Sequence, residues 1–253
     1  MRRALISDIH GNLEALQAVL EDADREGVEE IYCLGDIVGY GPNPVECLDL
    51  VIDRCKVTIL GNHDQAALFD PDGFNEMALH AIFWTREQLD TAVGGRHSVD
   101  KRWDFLGERP KSVTERDMLF VHGSARDPLS EYVFPQDVMD PRKMDALFSR
   151  IEHICFQGHT HLPGVFCDDD GRYCFEYGNE IDGDFVFDDR KFMVNVGSVG
   201  QPRDGDPRAC YVVLEDRSIA YRRVKYDVER TARKIYAAAE LDDNLGSRLF
   251  GGR

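Results

Sequence analysis

The chain has 253 residues, 43% hydrophobic and 10% aromatic, with 30 basic against 47 acidic residues and a formal net charge of -17. That balance repels phosphate backbones and excludes long nucleic acid as a partner unless bound cations reverse the sign locally; a small anion can still reach a metal ion. No apolar run approaches the length of a membrane span, and Asp8 follows Met1-Arg2-Arg3-Ala4-Leu5-Ile6 before a secretory core forms, so a cytoplasmic protein is expected.

In chain order, Ala4 to Ile6 predicts a strand ending in Ser7-Asp8-Ile9-His10-Gly11-Asn12. Leu13, Leu16, Val19 and Leu20 follow at helical spacing, with Asn12 as N-cap and Gly27 as stop. Glu30 to Leu34 predicts a second strand closed by Gly35-Asp36; a helix capped by Asn43, with Pro44 at its first position, leads to a third strand, Val57 to Leu60, and to Gly61-Asn62-His63-Asp64. This strand-helix alternation predicts parallel crossovers that bring three strand ends to one sheet edge, the usual ligand edge of α/β proteins.

Residues 64 to 107 read as mostly helical, with Met77, Leu79, His80, Phe83, Trp84 and Leu89 as an apolar stripe. Strands are expected at Lys111 to Thr114 and at Met118 to Val121, the latter ending in His122-Gly123. A helix near Arg142 to Arg150 then precedes the strand Ile154 to Phe156, which ends in Gln157-Gly158-His159-Thr160-His161. Antiparallel strands are expected at Gly164 to Cys167, Tyr173 to Tyr177, Phe192 to Val196, Ala209 to Leu214 and Ile219 to Val224, followed by a helix from Asp227 to Leu241. One domain over residues 1–241 is expected, with 242–253 as a flexible tail. The seven cysteines contain no Cys-x-x-Cys pair and read as buried reduced thiols. Tyr40 and Trp84 read as packing residues.

Asp8 and His10 are two apart, as are His159 and His161, and in extended segments such pairs face one side. With Asp36, Asn62 and His122 they make seven oxygen or imidazole donors at strand ends. That set suits manganese, iron, zinc or nickel, manganese or iron first, and is too large for one tetrahedral ion. Two ions sharing a carboxylate fit it, with Asp36 the candidate bridge; such ions sit about 3.5–4 Å apart and clamp an in-line displacement.

Asp8-x-His10, Gly35-Asp36, Gly61-Asn62-His63-Asp64, Val121-His122-Gly123 and Gly158-His159-Thr160-His161, in this order, resemble the signature of the calcineurin-like metallophosphoesterases. The segment Asn195-Val196-Gly197-Ser198-Val199-Gly200-Gln201-Pro202-Arg203 resembles a further stretch of the small bacterial branch, with Val196 where proline is common. The resemblance implies a four-layer αββα sandwich, two β-sheets flanked by helices. It implies Asp8, His10 and His161 on one ion, Asn62, His122 and His159 on the other, and Asp36 between them. It further implies hydrolysis of a phosphomonoester or phosphodiester by a metal-bridging hydroxide, with His63 protonating the leaving oxygen, Asp64 orienting His63, and Asn12 and Arg203 touching phosphate oxygens. Small or nucleotide-like substrates are expected, with a protein serine/threonine phosphatase and a non-catalytic scaffold of the same fold as the alternatives.

Overall fold

A computed structural model describes residues 1–92 and 94–253; Val93, inside the stretch expected to be helical, lies outside the described residues. The first half alternates as expected: β1 (Arg2–Ile6), α1 (Leu13–Arg25), β2 (Glu30–Cys33), α2 (Pro44–Arg54) and β3 (Val57–Thr58). Helices α3 (Asn62–Leu68), α4 (Glu76–Thr91) and α5 (Val99–Gly107) follow, then β4 (Ser112–Glu115), β5 (Met118–Val121), α6 (Pro141–Phe148) and β6 (Ile154–Gln157). The remainder is β7 (Gly164–Asp169), β8 (Arg172–Tyr177), β9 (Phe185–Val186), β10 (Lys191–Asn195), β11 (Ala209–Glu215), β12 (Ser218–Val224), α7 (Val228–Ala237) and α8 (Asp243–Ser247).

The strands form two six-stranded sheets, in the orders β3-β2-β1-β11-β12-β9 and β4-β5-β6-β10-β7-β8. β1, β2 and β3 pair in parallel, as do β5, β6 and β10. Alternation along β1 shows the layering: Ala4 and Ile6 pack against Leu16 and Val19 of α1, while Leu5 faces the other sheet. Leu5, Leu34 and Val212 of one sheet meet Phe120, Phe156 and Val194 of the other in the central core. On the far face of the second sheet, Cys155 and Met193 pack with Met144, Leu147 and Phe148. The result is a helix-sheet-sheet-helix sandwich, the predicted fold class.

Three expectations are corrected. On α4, His80 and Phe83 are exposed, and the buried face is Ala78, Ala81, Ile82, Trp84, Thr85 and Leu89; alanines offered no apolar signal but fit where helices approach closely. Cys167 and Cys174 are not free thiols: they are register partners on β7 and β8, and their sulfurs are bonded. Residues 242–253 are not a loose tail, since they form α8 and the 3-10 turn Arg248–Gly251, with Leu245 and Leu249 buried against Trp84 and Ile235. Two apolar residues four apart supplied one helical turn's worth of anchor in an otherwise polar segment.

Candidate metal centre and active site

The two parallel sets of strands end at a common edge. Asp8 and His10 follow β1, Asp36 follows β2, Asn62 and His63 open α3 just beyond β3, His122 follows β5, and His159 and His161 follow β6. Asp8, His10, Asp36, His159 and His161 all adopt left-handed backbone, with φ of 53°, 48°, 53°, 66° and 60°. Such residues cost of order 1–3 kcal/mol each and persist only where surrounding structure holds them. Here hydrogen bonds between loops hold them: the N–H of Asp8 donates to the Gly35 carbonyl at 3.1 Å, that of His10 to Asp36 at 2.9 Å, and that of His159 to the Asp8 carboxylate at 3.0 Å. Gly61 is required for the same closeness, because a Cβ there would collide with the backbone and carboxylate of Asp36.

All seven expected donors come together, buried or nearly so. Ligand atoms of Asp8, His10 and His161 lie within 4.8 Å of one another, as do those of Asp36, His122 and His159. The Asn62 Oδ1 sits 3.0 Å from His122 Nε2. Asp36 Oδ2 lies between the groups, 3.7 Å from His10 Nε2 and 3.3 Å from His122 Nε2.

The tautomers are readable from the outer hydrogen bonds. Nδ1–H donates to the carbonyl of Val38 in His10 (3.3 Å), of Leu34 in His122 (2.8 Å) and of Gln201 in His161 (2.5 Å). His159 is turned around, donating Nε2–H to Ser130 at 3.1 Å and leaving Nδ1 inward. Inside, His10 Nε2 meets His161 Nε2 at 3.2 Å, and His122 Nε2 meets His159 Nδ1 at 3.2 Å. When the rings are neutral each contact sets one lone pair against another, an arrangement that positive charge between them relieves. The donor set therefore fits metal ions.

The local electrostatics agree. Burial opposes ionisation of Asp8, yet the His161 and His122 charges carry its pKa far below the usual carboxylate range, and His122 and His63 do the same for Asp36. Burial likewise opposes a charged His122, but Asp36 and Asp8 lift its pKa to about 9. Burial and the His122 charge press His159 down to about 3. The carboxylates thus stay ionised and draw positive charge to the centre.

His63 stands over this centre. Its backbone N–H donates to Asp36 Oδ1 at 2.8 Å, and its ring packs between His10, Tyr40 and Phe74, with centroids 4.8, 4.4 and 4.9 Å away. Its Nδ1 has no partner among the described residues and abuts Gly39, where a Cβ would come within 2.5 Å of it. Burial pushes its pKa down to about 4, Asp36 working against the shift and Arg203 with it.

Two expected roles are corrected. Asp64 does not orient His63: its carboxylate accepts from the N–H of Ile37 (2.9 Å), Val38 (3.2 Å) and Gly61 (3.1 Å). Adjacent helical positions diverge by about 100°, so the two side chains of α3 point apart. Asp64 instead clamps the loop that presents Asp36, and burial followed by the Asp36 charge lifts its pKa to about 7. Asn12 is likewise committed, capping α1 through Ala15 N–H (3.1 Å), donating to the Gly200 carbonyl (2.8 Å) and accepting from Thr231 (3.0 Å). Arg203 donates to Gln201 at 2.9 Å, and its charge bears on His63 and His161.

Several contributors carried little sequence signal. Tyr132 stacks on His159, centroids 3.8 Å apart, and with Phe74, Asn62 and Ser130 it lines a cleft of about 410 Å³ beside the cluster. Tyr40 has φ of 59°, and only the flanking Gly39 and Gly41 hint at that turn. The segment Asn195 to Gln201, singled out in the sequence by resemblance but without a role, supports the loops from behind, Ser198 donating to the Asp8 carbonyl at 2.8 Å and Asn195 to that of Gly158 at 2.6 Å.

Residues 1–218 match the Calcineurin-like phosphoesterase superfamily domain. An uncharacterized protein of Methanocaldococcus jannaschii is 37% identical over 99% of this chain and 98% of its own. The crystal structure of a metallophosphoesterase from Sphaerobacter thermophilus is 35% identical and superposes with a TM-score of 0.84, covering 100% of both chains. The phosphodiesterase YfcE of Escherichia coli strain K12 is 25% identical over 85% of this chain and 88% of its own.

Proposed function

The chain belongs to the calcineurin-like phosphoesterase superfamily and is a phosphoesterase; on that premise we propose that it holds two divalent or trivalent transition-metal ions, manganese or iron first, and hydrolyses small phosphate esters. The observation that carries this reading is the pair of imidazole contacts made nitrogen to nitrogen, His10 with His161 and His122 with His159, each ring's other N–H already spent on a backbone carbonyl. Asp8, His10 and His161 would hold one ion, and Asn62, His122 and His159 the other. Asp36 would bridge them.

Ions so held supply positive charge for phosphoryl oxygens and lower the pKa of water toward about 7. The chain's own residues do the rest. Asp64 and the Gly35–Gly61 contact fix Asp36; Arg203 faces the phosphate; His63 delivers a proton to the leaving oxygen. Burial favours the neutral His63 ring, and Asp36, which opposes that shift, is the group of this chain that would help it keep the proton. The cleft of about 410 Å³ suits a leaving group of small-molecule or nucleotide size, and one relative, YfcE, is named a phosphodiesterase.

The test is hydrolysis by the purified, metal-analysed protein. Two equivalents of metal and cleavage of p-nitrophenyl phosphate or bis-p-nitrophenyl phosphate with Mn²⁺, abolished by chelation, are expected. Failure to cleave either of these or a phosphopeptide would sink the proposal. His63→Ala should keep its metal and lose about 10²–10⁴-fold in turnover of poor leaving groups; loss of metal instead would make His63 a ligand.

A further inference from the structure

The cleft of about 410 Å³ is lined by one face of α3, where Asn62, Gln65 and Ala66 stand at positions i, i+3 and i+4, and by two loops. The loop between α3 and α4 brings Asp70, Asp72 and Phe74, and the loop between β5 and α6 brings Tyr132. Asn62 and His159 belong both to the cleft and to the metal-ligand cluster, so a group held in the cleft lies next to that cluster.

Both aromatic rings are fixed by their neighbours. Phe74 meets the His63 ring edge-on, centroids 4.9 Å apart, and Tyr132 stacks with His159 and Phe134, centroids 3.8 and 5.4 Å away. Tyr132 is nevertheless 42% exposed. Aromatic surface that is held in place and open to a cleft packs against a planar group at little cost in conformational freedom.

The charge of the cleft is one-sided. Asp70 and Asp72 line it, and no lysine or arginine does. The guanidinium of Arg86, which reaches this loop, is spent on the backbone carbonyls of Ala66, Ala67 and Phe69. Two carboxylates so placed accept N–H groups or positive charge and repel a further phosphate.

We propose that this cleft selects the organic half of the ester: a flat, neutral or cationic group of nucleoside kind carried on a single phosphate, in preference to a polyphosphate. The proposal deepens the phosphoesterase reading and rests on it for the link to turnover. A polyphosphate split at its end would leave its remaining phosphates facing Asp70 and Asp72, whereas a nucleoside brings a ring for Phe74 and Tyr132 and amino groups for the carboxylates.

The experiment is calorimetry on Mn²⁺-loaded proteins of verified metal content, with adenosine, AMP and ADP as probes. Wild type should bind adenosine, which carries no phosphate. Phe74→Ala and Tyr132→Ala should each weaken that binding by at least about tenfold, and Tyr132→Phe, which keeps the ring, should restore it to within about threefold. The double variant Asp70→Asn, Asp72→Asn should raise the affinity for ADP relative to AMP by at least about tenfold, and it serves if the alanine variants do not fold. Absence of adenosine binding by wild type, ring variants that bind as wild type does, or an unmoved ADP-to-AMP ratio would overturn the proposal. Wild type that binds adenosine but cleaves no phosphate ester would sink the phosphoesterase reading instead, because the adenosine probe needs no turnover.

Discussion

Two buried polar clusters in this molecule are built on opposite plans. Between α2 and α5, Asp49 and Arg102 form a closed pair: Nε and one Nη donate to the carboxylate at 2.8 and 2.9 Å, the Arg96 N–H adds a third bond at 2.8 Å, and Arg102 is 0% exposed. At the strand ends, equally buried imidazoles and carboxylates face one another with lone pairs and negative charge, and their protons point outward to carbonyls. The first cluster balances its charges without a ligand, although one Nη of Arg102 has no partner among the described residues. The second balances only with positive charge inside it, so burial of polar groups is a sign of function where their charges and lone pairs fail to offset one another.

The comparison can be broken by substitutions that separate activity from stability. His122→Ala should reduce kcat/KM by about 10³-fold or more with loss of bound metal, at a smaller cost to the metal-free protein than Asp49→Ala, although the Asp36 and Asp8 carboxylates then lose the charged ring they hold. Retention of metal and of kcat/KM within about tenfold would show the cluster to be structural after all.

Asp49→Ala should do the reverse, costing about 3–5 kcal/mol by leaving Arg102 buried and uncompensated, with activity per folded molecule retained. The pair also has a pH signature. Burial alone would raise the Asp49 pKa, but the Arg102 hydrogen bonds and charge hold it below the ordinary value. A depressed folded pKa contributes stability that is present above the unfolded value and lost as pH falls through the folded one. Wild type should therefore lose stability below about pH 4 more steeply than Asp49→Asn, as measured by urea midpoints across pH.

Asp64→Asn sharpens the comparison at the boundary of the two plans, because Asp64 touches the active loop but is satisfied by three backbone amides. It should cost about 1–3 kcal/mol and less than about tenfold in kcat. A loss in kcat as large as that of His63→Ala, with stability intact, would restore it to the role of orienting the imidazole.

Legibility followed the range of the interaction. The metal-ligand candidates were readable because each sits directly after a strand whose β-branched or apolar run marks it, and because turn chemistry is local. The role of Asp64 was misread because adjacency in sequence was taken for adjacency in space: on α3 the helix turns Asp64 away from His63. Asn12 caps α1 as expected, and the phosphate contact implied by the resemblance gives way to Thr231, 219 residues away, which also donates to its oxygen. The exposed His80 and Phe83 were misplaced because small alanines, not large residues, mark the close-packed face of α4.

The sequence by itself determined the alternating strands and helices, the edge at which they end and the residues with metal-ligand chemistry, all of which depend on neighbours within a few positions. Only the tertiary structure decided which nitrogen of each histidine turns inward, that Cys167 meets Cys174, and that the last twelve residues fold back to set Arg248 beside Tyr40. Each of those depends on a carbonyl, a strand register or a ring brought from elsewhere in the chain, and pattern along one segment carries no record of such partners.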